Sequence, residues 1–346
     1  MDKIKKKKFH AVCCVIVTYG NRLHFLFKVL ERLQLLDVKN IVIVNNGLTQ
    51  HAKEQLKDAI GKFSWAKIKI VSFASNVGSA KGFSRGIKEA LKTKCRFIWM
   101  LDDDLLPNTN ALEEMLSVWD EIDIQEKEYN LILFANREDK KLYTTALLLS
   151  NPNIVIGYKN QFRSLHVGHL FSSVYVKYTM KNIISQRTNV KFGEIASGYF
   201  GGMFFHRNLI DRLGYPNEDF VLYMDDVDFT YRNKITGGRN VLVLSSLIHD
   251  LEESWNASKK NSAIFQIALW ENFTKLYYSI RNRVYFERVY TTNNTVIYFI
   301  NMVIYSSLVI VYALLQGKIK NIKVYCEAVR DGIKKKLGVN SKYPLN

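Results

Sequence analysis

Three consecutive carboxylates, Asp102, Asp103 and Asp104, end an apolar run, Phe97-Ile98-Trp99-Met100-Leu101. Like charges at that spacing repel. A solvated turn that caps the next helix needs one acid, not three, although Pro107 and Asn108 downstream suit such a turn. In an extended segment Asp102 and Asp104 point to one side and Asp103 to the other. Two carboxylates on one side suit a hard divalent cation, Mg2+ or Mn2+. Such an ion, held by few protein oxygens, keeps substrate phosphates as further ligands. The triplet therefore predicts a metal-bound diphosphate, with Asp102 and Asp104 on the metal.

Three further stretches carry chemistry-bearing residues. In Asn76-Val77-Gly78-Ser79-Ala80-Lys81-Gly82-Phe83-Ser84-Arg85-Gly86, glycine recurs every four residues. That spacing suits close helix packing. It equally suits a loop whose backbone approaches a nucleotide, with a helix N-terminus facing the anion. It matches neither the dinucleotide fingerprint nor the P-loop. In Tyr223-Met224-Asp225-Asp226-Val227-Asp228-Phe229, preceded by Gly198-Tyr199-Phe200-Gly201-Gly202, the acids complement a helix dipole or supply a general base. His249, after the strand-like run Asn240 to Leu244, is either structural or completes the metal shell.

These residues need a scaffold. A buried-strand run at 9–18 and strands at 41–44, 68–73 and 97–101 alternate with helical patterns at 22–36, 51–60 and 80–92. On the second segment, Leu23, Leu26, Phe27, Leu30 and Leu33 share one face. The alternation predicts an α/β fold with a mostly parallel sheet covered on both faces. Ligands then sit beyond the carboxyl ends of the strands, where Thr18, Tyr19, Asn45, Asn46, Asn76 and the aspartates fall. From 110 to 195 the pattern is less regular, with a helix expected at 110–119 and strands near 131–135 and 143–148.

The chain has 346 residues, 48% of them hydrophobic, and a formal net charge of +17. It is long enough for one large domain or two smaller ones. The charge suits an anionic partner and is concentrated at the ends. Lys3, Lys5, Lys6, Lys7 and Lys8 crowd one end; Lys318, Lys320, Lys323, Arg330, Lys334, Lys335 and Lys336 crowd the other. Thr295 to Gln316 is an apolar run of membrane-spanning length. Basic residues flank it on both sides, which disfavours a simple span. Tyr298, Asn301, Tyr305, Tyr312 and Gln316 form one polar stripe, so the helix can lie in an interface or pack that edge on protein. Cys13, Cys14, Cys95 and Cys326 form no CxxC pair and read as buried thiols of a reducing compartment. No secretory signal is expected, since the apolar stretch after the N-terminal lysines is too short.

The ordered motifs VIVTYGN, IVIVNNG, NVGSAKGFSRGI, WMLDDDLLP, GYFGGMFFHR, YMDDVDF, IHD and YYSIRNR resemble the family-2 glycosyltransferases of the GT-A fold. The bacterial galactofuranosyl- and rhamnosyltransferase branch is the most similar, over roughly residues 10 to 285. The resemblance implies a GT-A-type sheet over 1–285, with a nucleotide-sugar half at about 9–105 and an acceptor half at about 106–285. A membrane-associating helix and basic tail would follow at 286–346. It implies inverting transfer of a sugar such as galactofuranose or rhamnose from a nucleotide diphosphate-sugar to a glycan hydroxyl. The motifs together with the basic ends and the apolar C-terminal segment predict a lipid-linked glycan acceptor, in cell-surface polysaccharide synthesis at the cytoplasmic face of the cell membrane. Thr18, Tyr19, Asn46 and Asn76 would line the nucleotide site, with Gly78 and Lys81 on the glycine-rich loop and Asp103 on the sugar side. Asp102, Asp104 and His249 would hold Mg2+ or Mn2+. Asp226 would be the base, beside Asp225. The family usually has Asp where this chain has Asn45, which makes that base contact neutral.

Two rivals fit less well. A sugar-phosphate nucleotidyltransferase needs a glycine-rich loop with Arg and Lys right after the first strand, and Thr18-Tyr19-Gly20-Asn21-Arg22 offers too little. A nucleic-acid-binding protein would interleave basic residues with an aromatic platform, whereas here they cluster at the termini. No nucleic-acid partner is expected.

Overall fold

The computed structural model describes residues 9–169, 190–252 and 263–345. The N-terminal lysines, Lys3 to Lys8, lie outside them. The first strand, β1 (Val12–Gly20), is buried on both faces from Val12 to Thr18. An uninterrupted apolar run of this kind is what a central strand covered from both sides requires. The chain continues through α1 (Leu23–Leu35), β2 (Asn40–Leu48), α2 (Gln50–Ile60), β3 (Lys67–Phe73), α3 (Ser79–Ala90) and β4 (Phe97–Asp102). Leu23, Leu26, Val29, Leu30 and Leu33 are the buried face of α1, and Thr49 caps α2 by accepting from the Ala52 N–H. β1 pairs parallel with both β2 and β4, and β2 with β3. Thr18 stands beside Asn45 and Val17 beside Asp102. The informative residues therefore share one sheet edge.

The second half is built differently. It contains β5 (Leu105–Pro107), α4 (Ala111–Glu121), α5 (Lys127–Asn130), β6 (Leu131–Arg137), α6 (Lys141–Leu148), β7 (Phe192–Glu194) and β8 (Met203–His206). Then come α7 (Leu209–Leu213), α8 (Asp225–Ile235) and β9 (Arg239–Asp250). The sheet order is β3-β2-β1-β4-β8-β6-β9-β5, with β7 also on β9. β8 runs antiparallel to β4 and β6, and β5 and β7 antiparallel to β9. The sheet is thus parallel only in its first half, apart from the β6–β9 pair. Residues 143–148 are helix rather than the expected strand. Tyr143-Thr144-Thr145 has strand-like propensity, but α6 buries Ala146 and Leu147 on the sheet face. Tertiary packing overrides local preference there.

Two apolar clusters cover the two faces of the sheet. A third belongs to a helical layer of α9 (Ala263–Ala268), α10 (Phe273–Phe286), α11 (Thr295–Leu315) and α12 (Ile319–Ile333). Tyr277 of α10 donates to buried Asp331 of α12 at 2.7 Å, so this layer draws on residues from both sides of position 285. Cys13, Cys14 and Cys95 are buried, while Cys326 is exposed, unlike the expectation for it. Among the described residues, one helix, Thr295–Leu315, is long and apolar enough to cross a membrane. Only 28% of its most apolar stretch is buried.

Candidate active site

A cavity of about 540 Å³ opens beyond the carboxyl ends of β1, β2 and β4. Tyr19, Asn46, Asn76, Gly78, Asp102, Asp103, Asp104, Asp225 and Asp226 all line it. The fold thus gathers residues from five separate stretches of chain into one cleft.

The aspartate triplet ends β4 and turns. Asp103 and Asp104 form a turn into β5, not the extended segment expected from the sequence. Asp103 is buried; it accepts from Thr18 Oγ1 at 2.7 Å and from Arg22 Nε at 3.0 Å. Arg22 also pairs with Asp104 and Glu252. On the other side, Arg137 from the end of β6 approaches Asp102 at 3.5 Å and Asp250 at 3.7 Å. Its guanidinium is fixed by two hydrogen bonds to Asp139, at 3.0 and 3.1 Å. Two arginines, one at the start of α1 and one at the end of β6, thus offset the repulsion that the sequence alone leaves unexplained.

They do not offset all of it. Burial, and next the neighbouring Asp104, push Asp102 up to about 7 against the pull of Arg137. The Asp102 carboxylate is nonetheless 39% exposed, facing into the cleft rather than the core. Burial likewise raises Asp103 to about 6 and Asp250 to about 6. Eight carboxylates but only four basic side chains line the cavity, in a chain of net charge +17. Gly201 makes room for this cluster, since a Cβ there would meet the Asp102 carboxylate and Leu105.

The glycine-rich loop forms the opposite wall. Asn46 donates to Asn76 Oδ1 and to the Gly78 carbonyl, each at 3.1 Å, and accepts from Val77 N–H at 2.9 Å. Gly78 has φ +87°, and a Cβ there would strike the Val221 carbonyl. That position needs glycine for both reasons. Asn45 does not line the cavity. It is buried, donates to Ser72 at 3.2 Å and accepts from Leu48 N–H at 2.8 Å. Lys81 also stands apart, on a neighbouring hollow with Glu218, Val339 and Leu345.

The acidic pair begins α8. Asp225 is buried and accepts from Ser79 Oγ at 2.6 Å. Burial first, then the neighbouring Asp226, push it up to about 8. Asp226 is half-buried and accepts from Val227 N–H at 2.8 Å. Burial raises it too. The preceding loop has left-handed backbone at Val221, Tyr223 and Met224, with φ of 66°, 67° and 65°. Asn282 of α10 holds that loop by donating to the carbonyls of Phe220, Leu222 and Tyr223 at 2.8, 2.7 and 2.9 Å. Buried Arg281 donates to Phe220 and Gly338 carbonyls beside it. The YYSIRNR motif is therefore a brace behind the acids.

His249 is not brought to the aspartates. Its ring bonds to Asn108 at 2.9 Å and faces Glu138 at 3.4 Å, and it does not line the cavity. The register explains this: β9 pairs Asp250 with Leu105 and His249 with Leu106, so strand alternation sends the two to opposite sides. Asp250 lines the cavity instead. Among the described residues, no three His, Cys, Asp or Glu side chains form a metal-ligating group. The oxygen-donor chemistry and the excess of acids still fit a hard divalent cation that takes few protein ligands and completes its shell with phosphate. Arg22, Arg137, Asp139, Tyr199 and Asp250 were missed by sequence reasoning. Arg137 and Asp250 each end a strand, so the rule that ligands sit at strand ends was the available signal.

Residues 13–125, about a third of the chain, match the family model described as Glycosyl transferase family 2. No curated protein sequence matches the chain. Among solved structures, it resembles S. aureus TarS at 11% identity and TM-score 0.51, over 96% of this chain and 50% of that one. It therefore spans about half the length of that relative. It also resembles S. aureus TarS 1–349 in complex with UDP-GlcNAc, at 12% identity and TM-score 0.50, over 94% and 81% of the two chains. The mannosyltransferase PcManGT from Pyrobaculum calidifontis, in complex with GDP-Man and Mn2+, matches at 10% identity and TM-score 0.50, over 94% and 86%. The fold is the GT-A type, a mixed α/β sheet with flanking helices.

Proposed function

We propose that this protein is an inverting, metal-dependent glycosyltransferase that moves a sugar from a nucleotide diphosphate-sugar to a glycan hydroxyl. The observation that carries the reading is the convergence of three groups on one cavity. These are the Asp102–Asp104 turn, the Asn46–Asn76–Gly78 wall and the Asp225–Asp226 pair. The similarity of residues 13–125 to Glycosyl transferase family 2 supports the same class.

The roles follow from the surroundings of each side chain. Asn46, Asn76 and Gly78 form a rigid wall for the nucleotide, with Tyr19 at its edge and buried Thr18 behind it, bonded to Asp103. Asp226, half-buried and raised by burial, takes the proton of the acceptor hydroxyl. The oxygen bonds to the anomeric carbon as the bond from that carbon to the diphosphate breaks, and the nucleotide diphosphate leaves. A positioned base contributes typically 10²–10⁴-fold. Asp225 is bonded by Ser79 and fixes the start of α8, so the base has one orientation. Asp102 and Asp104 would hold Mg2+ or Mn2+, as the acid excess around them favours. That ion, when bound, neutralises the charge that grows on the leaving diphosphate. PcManGT was solved with Mn2+, which supports a divalent ion in a fold of this type. His249 would have to leave Asn108 to reach it. Arg22 and Arg137 orient the aspartates.

The donor sugar we propose is galactofuranose, rhamnose or a related hexose, following the ordered motifs. The acceptor is a lipid-linked glycan of a cell-surface polysaccharide, at the cytoplasmic face of the cell membrane. The exposed apolar helix α11 and the basic residues after it support that location. The test is a panel of uridine, guanosine and thymidine diphosphate-sugars with Mg2+ or Mn2+. A true donor raises the melting temperature and is slowly hydrolysed; at 100 times Kd, the stabilisation is about 2.7 kcal/mol. Stabilisation by none of the nucleotide-sugars would overturn the reading.

A further inference from the structure

α11 is built inside out. Its polar residues Tyr298, Asn301 and Tyr305 are buried against the domain. Asn301 donates to the Asn160 carbonyl at 2.8 Å and accepts from Val167 N–H at 2.9 Å. Its apolar residues Val296, Ile300, Val303, Leu308, Val311 and Leu315 are exposed. A helix facing water does the opposite.

Both ends of α11 are tied to the same body. α10 precedes it and α12 follows it, and these two pack on each other through Tyr277 and Asp331. Midway, the hydroxyls of Ser306 and Tyr325 lie 2.9 Å apart. At the far end Asn321 donates to the Trp270 carbonyl at 2.7 Å. Crossing a hydrocarbon layer of roughly 30 Å would carry one end of α11 away from these partners. The sequence from Arg288 to Cys326 contains no acid, and Lys318, Lys320 and Lys323 are exposed directly after the apolar face.

We infer that α11 lies in the plane of an anionic lipid surface, its apolar face among the acyl chains and its three lysines on the lipid phosphates. The inference rests on the membrane location proposed above and deepens it: the helix lies flat and does not span. A bilayer suits this face better than a second copy of the chain. A two-fold contact would set identical acid-free, lysine-rimmed surfaces against each other. α9 packs on α11 through the third apolar cluster, and Asn272 and Lys275 of the cavity rim follow α9 in the chain.

The full chain is tested by flotation with vesicles of phosphatidylcholine alone or mixed with phosphatidylglycerol. Binding is expected on the anionic vesicles. Replacing Lys318, Lys320 and Lys323 with Gln should weaken it by roughly fivefold per lysine. I300E/V311E should abolish it, while nucleotide-sugar still raises the melting temperature, which shows that the fold survives. In a C326S background, T295C and Q316C should both react with an impermeant maleimide added outside sealed vesicles. Labelling of only one until detergent is added would establish a span and overturn the inference. So would a soluble dimer with no vesicle binding. Protein that floats but turns over no nucleotide-sugar overturns only the transferase reading; active protein that ignores vesicles overturns only this one.

Discussion

Ser79 Oγ donates to Asp225 Oδ2 across 2.6 Å, joining the glycine-rich turn to the acidic pair 146 residues later. Nucleotide wall and proposed base are thus one mechanical unit. Ser79→Ala removes the side-chain hydrogen bond that holds the buried Asp225 carboxyl down. The expected cost is about 1–3 kcal/mol, read by urea denaturation, because a buried acceptor loses its donor. Wild-type stability in this variant would show that the contact is incidental.

Asn282 should act on turnover without touching substrate. Its amide holds a loop with three left-handed residues immediately before Asp225. Such backbone persists only where its surroundings enforce it. In Asn282→Ala, kcat is expected to fall on the order of 10²-fold, as for a displacement of about 1 Å. The donor KM should change much less, since Asn282 bonds the loop carbonyls and neither Asn46 nor Asn76. A raised KM with unchanged kcat would assign Asn282 to binding instead.

Arg22 sits on Asp103 with both side chains nearly buried, at 14% and 3% exposure. Arg22→Ala leaves Asp103 buried with only Thr18 as partner. Breaking such a pair costs about 3–5 kcal/mol, measurable by denaturation. The loss should shrink in the double variant that also carries Asp103→Asn, because the stranded charge is then gone. Equal losses in both would mean that the cost lies in the other Arg22 contacts, with Asp104 and Glu252, and not in Asp103.

The Asp225 carboxyl gives a pH signature. Burial, and then Asp226, hold it at about 8 in the folded protein, against 3.8 for an ordinary aspartate. Between those values the folded state keeps a proton that the unfolded chain releases. Stability from this group is therefore present in acid and is lost as pH rises toward 8. Without divalent cation, the melting temperature should decline across this window, and Asp225→Asn should flatten the decline. A steeper decline in the variant would contradict the assignment.

Much of this arrangement was legible in the sequence, for identifiable reasons. The runs at 9–18, 41–44 and 97–101 became β1, β2 and β4 because a strand buried on both faces must be apolar throughout, while 68–73 became the half-exposed edge strand β3. That alternation alone put Thr18, Asn46 and the aspartates at one sheet edge. The antiparallel β8 and the helix at Lys141–Leu148 were not legible, since both depend on which sheet face was left uncovered. Nor were the arginines: Arg22 meets Asp103 across 81 residues and Arg137 meets Asp102 across the cleft, contacts that only the folded sheet creates. Asp250 rather than His249 faces the cavity because of the β5–β9 register, and one residue of slip would exchange them.

The central claim is that Asp226 takes the proton of the acceptor. Asp226→Asn keeps the size and the Val227 contact but removes the base. With the donor identified by the panel, sugar transfer to a glycan acceptor should be lost by at least about 10²-fold. Donor affinity, read by thermal shift in the same buffer, should be unchanged. Transfer at the wild-type rate with Asn at position 226 would contradict the account.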